Sequence, residues 1–250
     1  MAQSPWLHIA IIITVATTVF FTSLGKARLW DRDEPRNAGC AAEMMERGDF
    51  VVPIFNDELR HQKPALLYWL MISAYSIFGV NEFGARFWSA LLGVSTSVLT
   101  YGIAARLFDR RTALLSGLAI CTSIMFCVAS RAATPDSPLI FFSTLGIYFY
   151  VAGTFSPGIP DGFQLKNRDH WFPKDYQYVL MMNVAFGLAV LTKGPIGLIV
   201  PTAIVGMFLL IQRLEPLQMQ RPNDHGRLSG LIWFGLRVIN PVHFLKTCWL

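Results

Sequence analysis

The stretch Trp6–Leu24, WLHIAIIITVATTVFFTSL, contains no Lys, Arg, Asp or Glu, and its reading decides the fold. As a helix rising about 1.5 Å per residue it is long enough to cross a hydrocarbon core of roughly 30 Å. Phe87–Ala105, Ala113–Ser130, Leu139–Phe155, Tyr178–Thr192 and Ile196–Ile211 repeat the pattern, the last two being short. Composition agrees: of 250 residues, 53% are hydrophobic and 15% charged, where an ordinary soluble domain carries about 25% charge. Mean hydropathy is +0.43. The expected fold is an all-α, polytopic membrane protein with about six transmembrane helices of bilayer-spanning length. No basic segment precedes the first helix and no small-residue cleavage site follows it, so it reads as a retained helix rather than a signal peptide.

Pro64–Phe78 is shorter, with Pro64 suited to a first helical turn and Tyr68, Trp69 and Tyr75 suited to headgroup depth. It is read as an interfacial or re-entrant helix, and counting it as a span would invert every later segment. Charge placement favours the non-spanning choice. With an inside N-terminus, the short inside loops hold Arg106, Arg110, Arg111, Lys166, Arg168, Lys174, Arg213, Arg221 and Arg227, and the short outside loops hold Arg131 and Lys193. That asymmetry follows the positive-inside rule; Lys26 and Arg28 oppose it, but they open a long loop, where the rule weakens. The net charge of +5 thus reports orientation and contact with anionic lipid, not nucleic-acid binding. Cys40, Cys121, Cys127 and Cys248 form no C-x-x-C pair and no disulfide framework. No repeat and no low-complexity tract is present; Ser156–Gln177 and Gln212–Gly230 read as inside loops.

Threading the spans in order brings four polar islands to one membrane face: Asp31–Arg36 (DRDEPR), His61–Pro64 (HQKP), Ala133–Asp136 (ATPD) and Thr192–Pro195 (TKGP). Ionisable residues gathered at one end of a bundle are functional candidates. The first outside loop, 26–82, is the largest polar region. Asp33 or Glu34 is expected to open a helix running through Arg36–Arg47, with Pro35 in its first turn and Gly48-Asp49 as its stop. Small residues at 38, 39, 41 and 42 would let that helix lie close to its neighbours. Phe50–Pro53 is expected to be extended and Asn56-Asp57 to turn.

These residues carry a resemblance. DRDEPR at 31–36, Glu43-Met44, GDFVVP at 48–53, KPALLYW at 63–69, FGVNEFGAR at 78–86, Pro135-Asp136 and LTKGP at 191–195 occur in the order found in GT-C type glycosyltransferases that use polyprenyl-phosphate sugars. The chain resembles specifically the group of the lipid A aminoarabinose transferases and protein O-mannosyltransferases. The resemblance runs from about residue 29 to 200 and covers the N-terminal half of these longer proteins. It implies a GT-C-like helix bundle in the cell (inner) membrane, with interfacial helices in the first extracytoplasmic loop and an active face turned away from the cytosol. The donor would be a polyprenyl-phosphate-linked sugar and the acceptor a lipid A-like lipid, a glycan or a protein. Asp33 maps onto the proposed catalytic base. Arg36, Lys63 and Lys193 map onto positions meeting the donor phosphate, Asp136 onto a second acid of the cavity, and Glu34 is grouped with the substrate-binding set. Gln62 departs from the family, standing where relatives carry an acid that resembles a metal ligand, so no metal-binding residue is assigned, and a divalent metal cofactor stays an open alternative. Asn37 departs too, replacing a frequent aromatic.

The implied reaction is a direct, inverting displacement, with Asp33 as general base and the cations holding the phosphate. Each assignment has a structural alternative: Lys63 snorkelling before its helix, Asp136 capping a span, Lys193 solvated in a turn, Asp31 and Glu34 as caps. Arg131 and His61 are weaker candidates. A lipid-carrier flippase or transporter is a second reading, disfavoured because transporter charges sit near the midplane of spans. A non-catalytic membrane subunit is a third. Residues 1–211 are expected to form the catalytic membrane region, and 212–250 an inside loop followed by the start of a further membrane region.

Overall fold

The computed structural model describes residues 4–30, 32–60, 62–155 and 171–213. Asp31, His61, Lys166, Arg168, Arg221, Arg227, Cys248 and nearly all of the region expected from 212 onward lie outside the described residues. Contacts divide the chain into two compact units, Met1–Ile204 and Val205–Leu250. The elements are α1 (Pro5–Phe21), α2 (Asp33–Arg47), β1 (Ile54–Phe55), β2 (Glu58–Leu59), α3 (Leu66–Phe78), α4 (Glu82–Leu107), α5 (Arg110–Thr122), α6 (Ile124–Arg131), α7 (Asp136–Thr154), α8 (Tyr176–Lys193) and α9 (Ile196–Arg213).

The charge-free runs become helices at the expected places. Among the described residues, α4 and α7 are long and apolar enough to cross a bilayer, and α5 with α6 makes a third candidate when the bent pair is taken as one span. The protein is a multi-pass membrane protein. The run Ala113–Ser130, expected as one straight helix, is broken: α5 and α6 meet at 61°, with Ser123 in extended backbone between them. Backbone groups freed inside a bilayer need local partners. Cys127 Sγ donates to Cys121 O at 3.2 Å, so a side chain beyond the break supplies one.

Asn81 caps α4 by accepting from Gly84 N at 2.8 Å, and Asp109 and Asp175 cap α5 and α8 likewise. α2 begins at Asp33 with Arg32 in the cap position and no side-chain cap, so neither Asp33 nor Glu34 is the N-cap. Gly48 ends α2 in the left-handed region, φ 68°, as expected of a helix stop. The turn at Asn56-Asp57 is present, both residues having positive φ, and it joins a two-stranded hairpin pairing Ile54 with Leu59 and Phe55 with Glu58. That hairpin was not foreseen.

α3 packs on α2 through Leu67, Tyr68, Met71, Ile72 and Tyr75, against Ala38, Cys40, Ala41 and Met44. The small residues at 38 and 41 allow the approach. Tyr68 and Tyr75 were expected at the headgroups, but they are 0% and 3% exposed. They share the i, i+3/i+4, i+7 stripe of α3 that faces α2, and only Trp69 of the three faces outward, its Nε1 donating to Phe50 O at 2.7 Å.

Two arginines fasten this polar layer to the bundle. Arg86, in the first turn of α4, donates to Leu24 O (3.1 Å), Ala27 O (2.7 Å) and Arg28 O (3.0 Å), and through Nε and Nη2 to both oxygens of Glu34 (2.9 and 2.7 Å). Glu34 also accepts from Trp30 N and Ala133 N, each at 2.6 Å. Burial opposes its ionisation, but the bonds from Arg86, Ala133 and Trp30 outweigh it and hold the carboxyl below its ordinary value. Arg131, at the end of α6, donates to Val19 O, Phe20 O and Thr22 O at 2.7, 3.2 and 2.9 Å. It thereby covers the orphan carbonyls at the end of α1. At the opposite end Arg106 does the same for α7, donating to Ala152 O and Phe155 O.

Removing one partner of a buried ion pair leaves the other charge uncompensated, so Arg86→Met should lower stability in detergent by about 3–5 kcal/mol, measured by thermal unfolding. Because Glu34 has a depressed value, its contribution is complete above about 4.5 and is lost as pH falls through the lower folded value. The unaltered protein should therefore lose stability below that pH, and Glu34→Gln should flatten this acid limb. A Cβ on Gly93 would lie 2.6 Å from Ser130 Oγ and 3.3 Å from Phe20, so Gly93→Leu should wedge α4 from α1 and α6 and cost about 1–3 kcal/mol.

Candidate active site

α2 displays its residues in two directions. Glu34 points into the bundle, 3% exposed, and both its oxygens are taken by the bonds above; the geometry gives it a structural task. Asp33, Arg36 and Asn37, spaced i, i+3 and i+4, share a different face. Asp33 Oδ2 lies 3.7 Å from Lys63 Nζ, with the Asp33 side chain 48% and the Lys63 side chain 20% exposed. Lys63 comes from the segment between β2 and α3, so the pair joins two elements of the outside loop. Arg36 is half-buried and engages no partner among the described residues.

The second pair comes from the bundle. Asp136 opens α7, and Oδ1 accepts from Lys193 Nζ at the end of α8, while Oδ2 accepts from Thr134 Oγ1 at 3.1 Å. The two side chains are 42% and 35% exposed. Gly194 follows with φ 78°, a conformation that ends α8 directly after the lysine.

Ala133 joins the two halves. Its N–H donates to Glu34 Oε1 at 2.6 Å and its carbonyl accepts from Asn37 Nδ2 at 3.0 Å, so the segment leading to Asp136 is bonded to the helix that bears Asp33. The end of α1, the starts of α4 and α7 and the ends of α6 and α8 therefore lie together. Asp33, Arg36, Lys63, Asp136 and Lys193 are gathered there, drawn from four stretches of sequence. His61, beside Lys63, lies outside the described residues. Arg131 is committed to α1. Gln62 is exposed, and no three His, Cys, Asp or Glu side chains converge among the described residues. No step below is routed through a metal.

Sequence reasoning passed over Arg60, which donates Nη2 to Asn37 Oδ1 at 2.8 Å. A single arginine after a hairpin looks solvated in sequence, yet this one is 8% exposed. Elsewhere, an apolar cleft of about 620 Å³ runs along the flank between α1, α4 and α7, from Ile13 to Phe21 on α1 and including Leu91 and Phe141. Its lining carries no ionisable group.

These features can be set beside known proteins. Residues 11–244 match the family described as dolichyl-phosphate-mannose-protein mannosyltransferase. The chain is 37% identical over 208 residues to an uncharacterised protein of Aquifex aeolicus (strain VF5), covering 83% of this chain and 38% of that one. It is 28% identical over 216 residues to the undecaprenyl phosphate-alpha-4-amino-4-deoxy-L-arabinose arabinosyl transferase of Yersinia pestis (strain Pestoides F), covering 85% and 36%. Among solved structures, ArnT from Cupriavidus metallidurans bound to undecaprenyl phosphate superposes with a TM-score of 0.69 at 28% identity, over 84% of this chain and 36% of that one. The chain thus spans about two fifths of the length of the relatives it matches. The ordered motifs, the helix bundle and this match over most of the sequence lead to one conclusion: the chain belongs to the dolichyl-phosphate-mannose-protein mannosyltransferase family.

Proposed function

We propose that this chain forms the base-bearing and phosphate-binding part of a membrane glycosyltransferase, which moves a sugar from a polyprenyl phosphate to an acceptor on the extracytoplasmic side of the cell (inner) membrane. The observation that carries the reading is the convergence of two acid–cation pairs, Asp33–Lys63 and Asp136–Lys193, at one end of a bundle whose other end is rich in arginine. The excess of basic residues in the opposite loops supports the extracytoplasmic orientation. Residues 1–211 are the catalytic membrane region on this reading.

The chemistry follows from the groups present. The acceptor hydroxyl gives its proton to the Asp33 carboxylate as its oxygen forms a bond to the anomeric carbon. The bond from that carbon to the phosphate oxygen breaks, and its electron pair leaves with the polyprenyl phosphate. Attack opposite the leaving group inverts the anomeric centre. Lys63, Lys193 and Arg36 hold the phosphate as its charge grows, the lysines as point charges and the arginine as a planar fork. Asp136 orients Lys193. The apolar cleft beside Phe21 suits an isoprenoid chain whose phosphate reaches headgroup depth. Undecaprenyl phosphate aminoarabinose, the donor in the name of the Yersinia relative, is the first donor to test.

Membranes carrying the whole protein, incubated with labelled polyprenyl-phosphate sugar, should transfer label to an acceptor. Translocation without transfer would indicate a flippase, and neither would indicate a non-catalytic subunit. Asp33→Asn should reduce transfer by about 10²–10⁴-fold with membrane insertion unchanged, and retained transfer would remove Asp33 from the role. Lys193→Met should raise the donor KM by about tenfold, the size of one charged hydrogen bond, as read from initial rates against donor concentration.

A further inference from the structure

The segment that closes the hairpin carries a cation the mechanism above leaves unused. Arg60 is 8% exposed, and its backbone N–H is bonded to Pro53 O at 2.8 Å. Its Nη2 donates to Asn37 Oδ1 at 2.8 Å, and its guanidinium carbon lies 6.0 Å from the centroid of the Phe55 ring. It forms no ion pair with a carboxylate among the described residues. Its Nε is buried and makes no hydrogen bond among the described residues, and the buried Tyr68 hydroxyl lies beside it, close enough to interact with both Arg60 and Cys40. Two neighbouring side chains are held neutral: burial pushes the Cys40 thiol up and pushes Tyr68 up to about 12.

A buried charge is ordinarily matched by an opposite charge or by a ligand, and buried donors left without acceptors call for an explanation. The placement of Arg60 supplies one. Asn37 lies one helical turn beyond Asp33 on the same face of α2, and Arg60 lies three residues before Lys63. The two segments run antiparallel, so Lys63 meets Asp33 while Arg60 meets Asn37. Asp33 is half-exposed, Lys63 mostly covered and Arg60 buried, so the cation sits at the deep end of the site. Asn37 is anchored in turn by its bond to Ala133 O, which fixes the guanidinium with respect to the strand of chain leading to Asp136. A planar fork held in this way matches the oxygens of a phosphate.

We propose that Arg60 is an anion-binding residue of the active site, held by Asn37 and Phe55 to donate to a phosphate-ester oxygen of a bound substrate. The assignment rests on reading the Asp33–Lys63 site as one that handles a phosphate ester. That ester belongs either to the isoprenoid donor or to a phosphorylated lipid acceptor, and two probes separate them.

The whole protein, purified in detergent, is titrated by calorimetry with farnesyl phosphate for the donor side and dihexanoyl phosphatidic acid for the acceptor side, with farnesol and dihexanoylglycerol as phosphate-free controls. Arg60→Met should bind one of the phosphate probes about tenfold more weakly, the loss of one charged hydrogen bond, with the phosphate-free controls unchanged. The probe affected names the source of the ester. Arg60→Gln, which keeps a donor for Asn37 but no charge, should show the same loss and serves if the first variant fails to fold. Dissociation constants within about twofold of the unaltered protein for both phosphate probes would overturn the proposal, as would a loss extending equally to farnesol. Failure of the unaltered protein to bind either phosphate would overturn the phosphate reading of the whole site, and this assignment with it.

Discussion

The Glu34 carboxylate is the constraint on which the rest of the structure depends. It accepts from Trp30 N, Ala133 N and two nitrogens of Arg86, and Arg86 in turn gathers the carbonyls of residues 24, 27 and 28. One buried pair thus ties the exit of α1, the start of α2, the start of α4 and the approach to α7 into a single unit. Buried ion pairs contribute little by themselves because desolvation opposes the attraction. This pair is different in that every remaining lone pair and proton is also satisfied, and the bonds specify how these helix ends meet.

That junction explains how adjacent acids serve different ends. Glu34 is buried and spent on architecture; Asp33, one residue earlier, turns about a third of a revolution away and stays partly open beside Lys63. Asn37 and Glu34 both bond to Ala133, so the helix bearing Asp33 is fastened to the segment leading to Asp136. A site assembled from distant stretches gains its precision from such supporting bonds more than from its own contacts. The two ionic pairs on the open side are half-exposed, so they contribute little to stability and remain available to a ligand.

Much of this was legible in the sequence, and what was not has physical reasons. Uninterrupted apolar runs announced α1, α4 and α7, because a bilayer demands length and the absence of charge. The same runs hid the break at Ser123, since two half-helices share one apolar stretch and the Cys127 thiol bonds Cys121 O across it. The meeting of Asp136 with Lys193, 57 residues apart, followed only from counting spans. Tyr68 and Tyr75 were misplaced because the partner that covers their face, α2, is decided by tertiary packing. Arg60 gave no signal, since a lone arginine beyond a turn is usually solvated. The family motifs separated Asp33 from Glu34 but grouped Glu34 with the substrate-binding residues; the phase of α2, which turns Glu34 onto Arg86, could not be read from them.

The account stands on the ionic residues sharing one side of the membrane. Single cysteines at positions 33 and 193, in a protein whose Cys40, Cys121, Cys127 and Cys248 are replaced, can be exposed to a membrane-impermeant maleimide applied from outside the cytosolic compartment. The account predicts that both positions label from that side, while a cysteine at position 106 labels only after permeabilisation. Labelling of positions 33 and 193 from opposite sides would contradict it.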